Sequence, residues 1–220
     1  MVIRINGDII SNDLKMVYDW FDIEATCPAD VRGQLETMPE GEKPEVKINS
    51  GGGDAIAGQE IYSILRARSD VEIEIESIAA SAASIIAMAG HCTISPVGMI
   101  MIHNVSTGIY GNHKALEKEA DTLRRWDDAL ASAYVEKTGR PKDEVLRMME
   151  KETWLTAERA LELGFVDGIT APAEAKAAAA GCLRVTPEMI AQYQKAMRDK
   201  EAREAEKQEL LNSLANYGTK

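Results

Sequence analysis

The sequence predicts an α/β protein with a largely parallel sheet, built from repeated β-α-β units. The clearest sign is the strict alternation of Val71-Glu-Ile-Glu-Ile-Glu, which requires a strand with one buried face. A helical apolar pattern over residues 55–68 precedes this strand, and an alternating strand over 45–48 precedes the helix. Strands that alternate with helices favour parallel pairing through crossover connections.

The rest of the chain repeats this order. Further strands are predicted over 2–5, which leads to a turn at Gly7, and over 99–102. The glycine run 51–53 is expected to break its strand sharply, and residues 91–96 are expected to form a polar loop. Helices are indicated by capping residues and apolar spacing: after Ser11, from Ser81, over 113–134, over 141–151, and over 157–163 between the cap Thr156 and the closing Gly164.

The domain organisation follows from length and composition. A chain of 220 residues with 45% hydrophobic residues can bury one substantial core. We expect one domain over 1–170, an alanine-rich linker over 171–185 and a charged helical tail over 186–220. Charge runs of this kind are typical of a solvated helix, and a partner-binding role is the alternative.

The acidic balance of the chain excludes some partners. A net charge of −11 and a pI near 4.9 disfavour nucleic acid or an anionic membrane, since either partner needs a basic surface. No secretory signal is visible, and the apolar run 78–90 is shorter than the roughly 20 residues of a membrane helix. We therefore expect a cytoplasmic protein. The three cysteines lack the spacing of a disulfide framework or a zinc site.

Ser81 is the first candidate for chemistry. It lies where a strand gives way to a helix, between Ala80 and Ala82, and small neighbours permit close approach of a substrate backbone. The free N–H groups of a helix N-terminus favour an oxyanion there. A simple helix cap is the alternative interpretation. Ser77 and Ser84 are weaker candidates, because the Ser84 hydroxyl is expected to bond to the backbone one turn into the helix.

A nucleophilic serine needs a base, and the chain has three histidines. His91 and His113 are explained by a helix C-terminus and by solvent exposure. His103 ends an apolar strand one crossover beyond Ser81, so a parallel sheet places both residues near the same edge. The Gly51-Gly52-Gly53 turn ends the previous strand, and the N–H groups of Gly53 and Ala82 can form an oxyanion hole.

Taken in order, several motifs resemble those of the Clp proteolytic subunit, a family of serine peptidases. The resemblance covers about residues 1–170. The motifs are Ile48-Asn-Ser-Gly-Gly-Gly-Asp, Ala79-Ala80-Ser81 with Ala89-Gly90, Met101-Ile102-His103, and Thr153-Trp-Leu-Thr-Ala-Glu with Gly164-Phe-Val-Asp-Gly. The family's nucleophile, base and oxyanion-hole glycine fall on Ser81, His103 and Gly53.

The resemblance implies a ClpP/crotonase-like fold in which the helix from His113 projects as a handle. It also implies a polypeptide substrate, a homo-oligomer of stacked rings, and no metal or organic cofactor. The family's acidic triad residue, an aspartate, aligns with Glu152 here, and a surface glutamate is the alternative. Gly51 and Ser77 replace a proline and a glycine of the family.

These departures are similar to the phage and prophage branch, whose members act as head-maturation proteases on capsid or scaffold proteins in the host cytoplasm. The housekeeping subunit, which works with an ATPase unfoldase, is the alternative within the family. Two alternatives of other classes are a non-catalytic assembly protein and a crotonase-type acyl-CoA-binding enzyme on the same fold.

Overall fold

The computed structural model describes residues 1–171, which contain one eight-stranded sheet with helices packed against it. The strands are β1 (Val2–Ile9), β2 (Ala25–Thr26), β3 (Glu45–Gly53), β4 (Glu72–Ala80), β5 (His91–Ile94), β6 (Met99–Ile102), β7 (Thr153–Thr156) and β8 (Gly168–Ile169). The helices are α1 (Lys15–Trp20), α2 (Pro28–Glu36), α3 (Ala55–Arg66), α4 (Ala82–Ala87), α5 (His113–Thr138), α6 (Lys142–Glu150) and α7 (Ala157–Leu163).

The sheet runs in the order β2-β1-β3-β4-β5-β8, and every pair along this path is parallel. β4 is long enough for two neighbours on one side: β5 pairs with residues 72–75 and β6 with residues 78–80. β7 pairs with β6 in the antiparallel direction. The predicted α/β class with a largely parallel sheet is therefore confirmed.

The central strands are buried because their apolar side chains alternate with charged ones. In β4, Ile73 and Ile75 are 2% and 0% exposed, while the glutamates between them face the other side. α3 covers the core with Ile61 and Leu65, both fully buried. Each such side chain stabilises the fold by about 1.5–3 kcal/mol relative to an exposed one. The candidate site is formed at the ends of these buried central strands.

Two strands continue through glycines at which they were predicted to end. β3 reaches Gly53 rather than breaking at Gly51, and β1 continues past Gly7 with a register shift between Asn6 and Asp8. Gly7, Gly52 and Gly53 have φ values of 64°, 100° and 146°. Glycine tolerates these angles, so the strands bend and keep their pairing instead of ending.

The prediction of a polar loop over 91–96 was wrong for its first four residues, which form β5. Cys92 and Ile94 are fully buried, and the strand is paired on both sides, so tertiary packing outweighs the polar residues. The caps of α7 are confirmed: Thr156 accepts a hydrogen bond from the N–H of Arg159 at 3.4 Å, and Gly164 has a φ of 82°.

Within residues 1–171, no helix is long and apolar enough to cross a membrane. The predicted linker over 171–185, apart from its first residue, and the predicted tail over 186–220 lie outside the described residues.

Candidate active site

Ser81 and His103 meet at the carboxyl end of two neighbouring strands. The Oγ atom of Ser81 lies 2.7 Å from Nε2 of His103. β4 and β6 are parallel partners, with Ala80 opposite Met101, so the residues that follow them emerge at the same edge of the sheet. The N–H of Ser81 also donates to the carbonyl of Met101 at 2.9 Å. The sheet itself therefore sets the distance between hydroxyl and imidazole.

The backbone of Ser81 is strained. Its φ is 53° and its ψ is −124°, in a region that residues with a side chain rarely adopt and that costs about 1–3 kcal/mol. Ser81 occupies the N-cap position of α4, yet its side chain makes no capping hydrogen bond. The strained turn directs the hydroxyl towards His103 instead, which does not support the interpretation of Ser81 as a simple helix cap.

The glycine run of β3 packs directly against the serine. A Cβ atom on Gly52 would lie 2.6 Å from Cβ of Ser81 and 2.6 Å from the carbonyl oxygen of Ala80. Real structures do not contain such short contacts, so only glycine fits at this position. The peptide bond between Gly52 and Gly53 therefore lies beside the nucleophile.

The pairing of β3 with β1 holds the backbone at Gly53. Gly53 is opposite Ile9, and the carbonyl of Ile9 accepts the N–H of the next residue, Asp54, at 2.8 Å. A Cβ atom on Gly53 would lie 2.2 Å from that carbonyl oxygen, so glycine is required here as well. The N–H of Gly53, which follows the glycine that packs against Ser81, is the first of the two predicted amides.

Ala82 supplies the second predicted amide. It is the first residue of α4, where the backbone N–H groups have no partner within the helix. Its nitrogen lies 3.1 Å from the position that a Cβ of Gly52 would take, so it borders the same space as the Gly52–Gly53 peptide. The structure thus brings four of the five predicted site residues together: Ser81, His103, Gly53 and Ala82.

Glu152 is adjacent to this group but does not contact the imidazole. The antiparallel register pairs Ile102 with Thr153, which places Glu152 opposite His103 at the end of the ladder. The side chain is exposed, and its Oε1 accepts a hydrogen bond from Nε1 of Trp154 at 3.3 Å. Within residues 1–171, the structure records no hydrogen bond between Glu152 and His103.

Asp127 is a second acid near His103, and it was not among the site residues predicted from the sequence. It lies on α5 and is 8% exposed, and its Oδ1 accepts the N–H of Val105, two residues after the base, at 2.7 Å. Burial raises the pKa of the Asp127 carboxyl, against the opposing effects of the Val105 N–H and of positive charge on His103. Asp127 is therefore close enough to His103 for their charges to interact.

A sequence signal for Asp127 did exist. Leu123, Leu130 and Tyr134 mark the apolar face of α5, and Asp127 occurs on this face at helical spacing from all three. An acid on a buried helix face is unusual unless it has a partner. The position of Asp127 among apolar residues is therefore the pattern that indicates a candidate site residue.

A cleft with a volume of about 780 Å³ contains the Ser81–His103 pair. The glycine run of β3 forms one side, and Leu123, Trp126 and Leu130 of α5 line the other. This combination of exposed backbone and apolar side chains suits an extended peptide. In the part of the chain that the structure describes, no group of three or more His, Cys, Asp or Glu residues could hold a metal ion.

Two cysteines fall within the described residues, and both are buried and free. Burial raises the pKa of the Cys92 thiol to about 12, so it carries almost no thiolate at neutral pH. Neither cysteine lines the cleft. Ser81 rather than a cysteine is therefore the candidate nucleophile among the described residues that line the cleft.

A serine hydroxyl bonded to a histidine, beside free backbone amides at the edge of an α/β sheet, is the arrangement found in serine hydrolases. Residues 26–173 match the sequence profile of the Clp protease family. The chain belongs to this family.

Two relatives illustrate the match. The ATP-dependent Clp protease proteolytic subunit of Deinococcus radiodurans is 30% identical over 172 residues, which span 74% of this chain and 84% of the relative. The ATP-dependent Clp protease proteolytic subunit 1 of Chlamydia caviae is 29% identical over 141 residues, which span 61% of this chain and 74% of the relative. The resemblance inferred from the motifs is thus confirmed for the family.

Proposed function

We propose that the protein is a serine endopeptidase in which Ser81 is the nucleophile and His103 its base. The observation that carries this proposal is the 2.7 Å contact between Oγ and Nε2 inside a cleft that a peptide can enter. Membership of the Clp protease family supports it. The N–H groups of Gly53 and Ala82 form the oxyanion hole.

The geometry suggests the following reaction. Nε2 of His103 takes the proton of Ser81 as Oγ bonds to the carbonyl carbon of the substrate. The two amides hold the negative charge on the carbonyl oxygen until the C–N bond breaks. The imidazolium then protonates the departing amine. A water molecule, deprotonated by His103, attacks the acyl carbon, and the imidazolium formed in this step returns its proton to Oγ of Ser81 as the ester bond breaks.

The third member of the triad has two candidates. Glu152 is proposed from the family alignment, and it lies opposite His103 at the end of the β6–β7 ladder. Asp127 is proposed from the structure, because it is already buried and bonded to the segment that carries His103. A buried acid whose pKa is raised opposes folding at neutral pH, and retention of such a group is typical of functional sites.

For the biological role, we propose a phage or prophage head-maturation protease that cleaves capsid or scaffold proteins. The Gly-Gly-Gly-Asp-Ala-Ile-Ala-Gly segment from Gly51 and the glutamate at position 152 support this role. Both relatives are named as ATP-dependent proteolytic subunits, so a housekeeping subunit with an ATPase partner is the alternative. We also propose that the subunits assemble into rings through α5 and that the protein is cytoplasmic.

Ser81 is expected to react with a fluorophosphonate probe, because the probe needs an activated serine beside an oxyanion hole. Ser81→Ala is expected to abolish labelling, as measured by in-gel fluorescence and by mass spectrometry of the modified peptide. Ser77→Ala is the matched control: Ser77 is an exposed serine bonded to Asn49, and its loss should leave labelling unchanged.

Labelling that persists in Ser81→Ala, or a wild-type protein that neither reacts with the probe nor cleaves labelled casein, would contradict the proposal. The second result would favour a non-catalytic assembly protein. Binding of an acyl-CoA thioester by such an unreactive protein would favour the crotonase-type alternative.

The two acids are separated by the pair Glu152→Gln and Asp127→Asn. Each change removes a charge, and asparagine at 127 can still accept the Val105 N–H. The substitution at the true orienting acid is expected to lower kcat by about 10²–10⁴-fold. Steady-state cleavage of a fluorogenic peptide measures the effect, and equal, small losses in both variants would show that neither acid orients His103.

The thermal stability of Asp127→Asn provides an independent test of the raised pKa of the Asp127 carboxyl. Because burial raises the pKa of Asp127, its contribution to stability is present below the ordinary pKa of an aspartate and is lost as pH rises through the raised value. The ionised carboxylate thus destabilises the fold at neutral pH. Asp127→Asn is expected to raise Tm at pH 7, with a smaller difference near pH 4, as measured by thermal unfolding.

A further inference from the structure

Two buried hydroxyl groups lie directly behind the nucleophile. Tyr134 of α5 and Ser84 of α4 are 1% and 0% exposed, and their hydroxyl oxygens are 2.7 Å apart. The hydroxyl of Ser84 also lies 2.6 Å from the backbone carbonyl oxygen of Ser81 and donates to it. Because Ser84 has a single hydroxyl proton, the hydrogen bond between the two side chains must be donated by Tyr134.

The donor and the acceptor of each hydrogen bond from Tyr134 through Ser84 to Ser81 are therefore determined. The Tyr134 hydroxyl donates to Oγ of Ser84, and the Ser84 hydroxyl donates to the carbonyl of Ser81. That carbonyl also accepts the N–H of Ser84 at 3.0 Å, while the N–H of Ser81 donates to Met101 at 2.9 Å. The N–H of the strained Ser81 is thus bonded to β6, and its carbonyl is bonded to Ser84 of α4. Tyr134 of α5 bonds to Ser84 in turn.

Alternative partners for these hydroxyls are restricted. Burial raises the pKa of the Tyr134 hydroxyl, so it is a protonated donor at neutral pH. The Tyr134 ring packs against Phe165, with centroids 5.8 Å apart, which fixes the direction of the hydroxyl. A phenylalanine at 134 would keep this packing and remove only the donor.

We propose that Tyr134 and Ser84 are positioning residues for the nucleophile: their hydrogen-bonded chain orients the Ser81 carbonyl and thereby holds Oγ within bonding distance of His103. This proposal rests on the proposed function, since it assigns a role relative to Ser81 as the nucleophile. Tyr134 borders the cleft, but both hydroxyls are buried and bonded to each other, so neither takes part in proton transfer. The chain couples α5, which lines the substrate cleft, to the backbone of the reacting serine.

The test uses Tyr134→Phe, Ser84→Ala and the double variant in the full-length protein. Each single change is expected to lower kcat for a fluorogenic peptide about 10-fold with KM unchanged, because the substrate contacts remain and only the geometry of Oγ is loosened. The rate of labelling by a fluorophosphonate should fall in parallel. The double variant should resemble Ser84→Ala, because both residues act through one chain.

Tyr62→Phe is the matched control, since Tyr62 is half-buried on α3 and does not line the cleft, and its kcat should equal that of the wild type. All assays are run well below the Tm of each variant, so loss of folded protein does not lower the rate. An unchanged kcat in Tyr134→Phe and Ser84→Ala, with an active wild type, would overturn the positioning role and leave the proposed function intact. A change confined to KM or to Tm would overturn it as well. An inactive, unlabelled wild type would overturn the proposed function itself.

Discussion

His103→Ala is expected to lower kcat for peptide cleavage by about 10⁴–10⁶-fold, a loss comparable to that expected for Ser81→Ala. The Ser81 hydroxyl is a poor nucleophile while it keeps its proton, and the imidazole 2.7 Å away is the base positioned to remove it. Binding and the oxyanion hole remain in the variant, so KM should change little. Cleavage of a fluorogenic peptide and of labelled casein measures the loss.

The other two histidines provide controls for this prediction. His91 and His113 are both exposed, and the contact of His91 with Glu72 is a surface contact of little energetic weight. His91→Ala and His113→Ala should each keep kcat within about two-fold of the wild type. A His103→Ala variant that retained more than a few per cent of wild-type activity would show that another group accepts the serine proton.

Gly52→Ala is expected to lower activity by at least about 10²-fold, although alanine adds one methyl group. The added Cβ would meet both Cβ of Ser81 and the carbonyl oxygen of Ala80 at 2.6 Å, and Gly52 has a φ of 100°. The β3 strand and the nucleophile must therefore move apart, and shifts of about 1 Å in a catalytic group can cost that much. Peptide cleavage and fluorophosphonate labelling both report the change.

Gly51→Ala is the control, because a Cβ at position 51 meets nothing within 4 Å and Gly51 does not have a positive φ. Its activity should stay within about two- to three-fold of the wild type. Thermal unfolding of both variants separates a displaced nucleophile from an unfolded protein. Full activity in Gly52→Ala would mean that the close packing of β3 on Ser81 has no role in catalysis.

Much of the fold could be predicted from local patterns. The alternation in β4, the apolar run of β6 and the capping residues of α7 each encode their element within a few residues. β5 and β7 could not be predicted in this way. Both are four-residue strands whose pairing partners lie elsewhere in the sequence, so their conformation depends on the assembled sheet rather than on their own composition.

The site residues also divide into those that the sequence predicts and those whose position depends on the packing of distant segments. Ser81 and His103 follow β4 and β6, which are neighbouring parallel strands, so the rules of sheet topology predict that the two residues lie together. Asp127 reaches His103 from a distant helix, and its proximity depends on how α5 packs against the segment after β6. The Ser84–Tyr134 bond spans 50 residues for the same reason, although the bonding of Ser84 to the backbone agrees with its predicted position in the helix.

The charges around the cleft have a consequence for the choice of substrate. Among the lining residues that the structure describes, Asp8, Asp54 and Glu119 are acidic and none is lysine or arginine. A cleft with charges of one sign raises the local concentration of ligands of the opposite sign. We therefore expect a peptide with basic residues beside the cleaved bond to be preferred over an acidic one, and because the screening length is about 8 Å at physiological ionic strength, this attraction acts mainly on side chains already inside the groove.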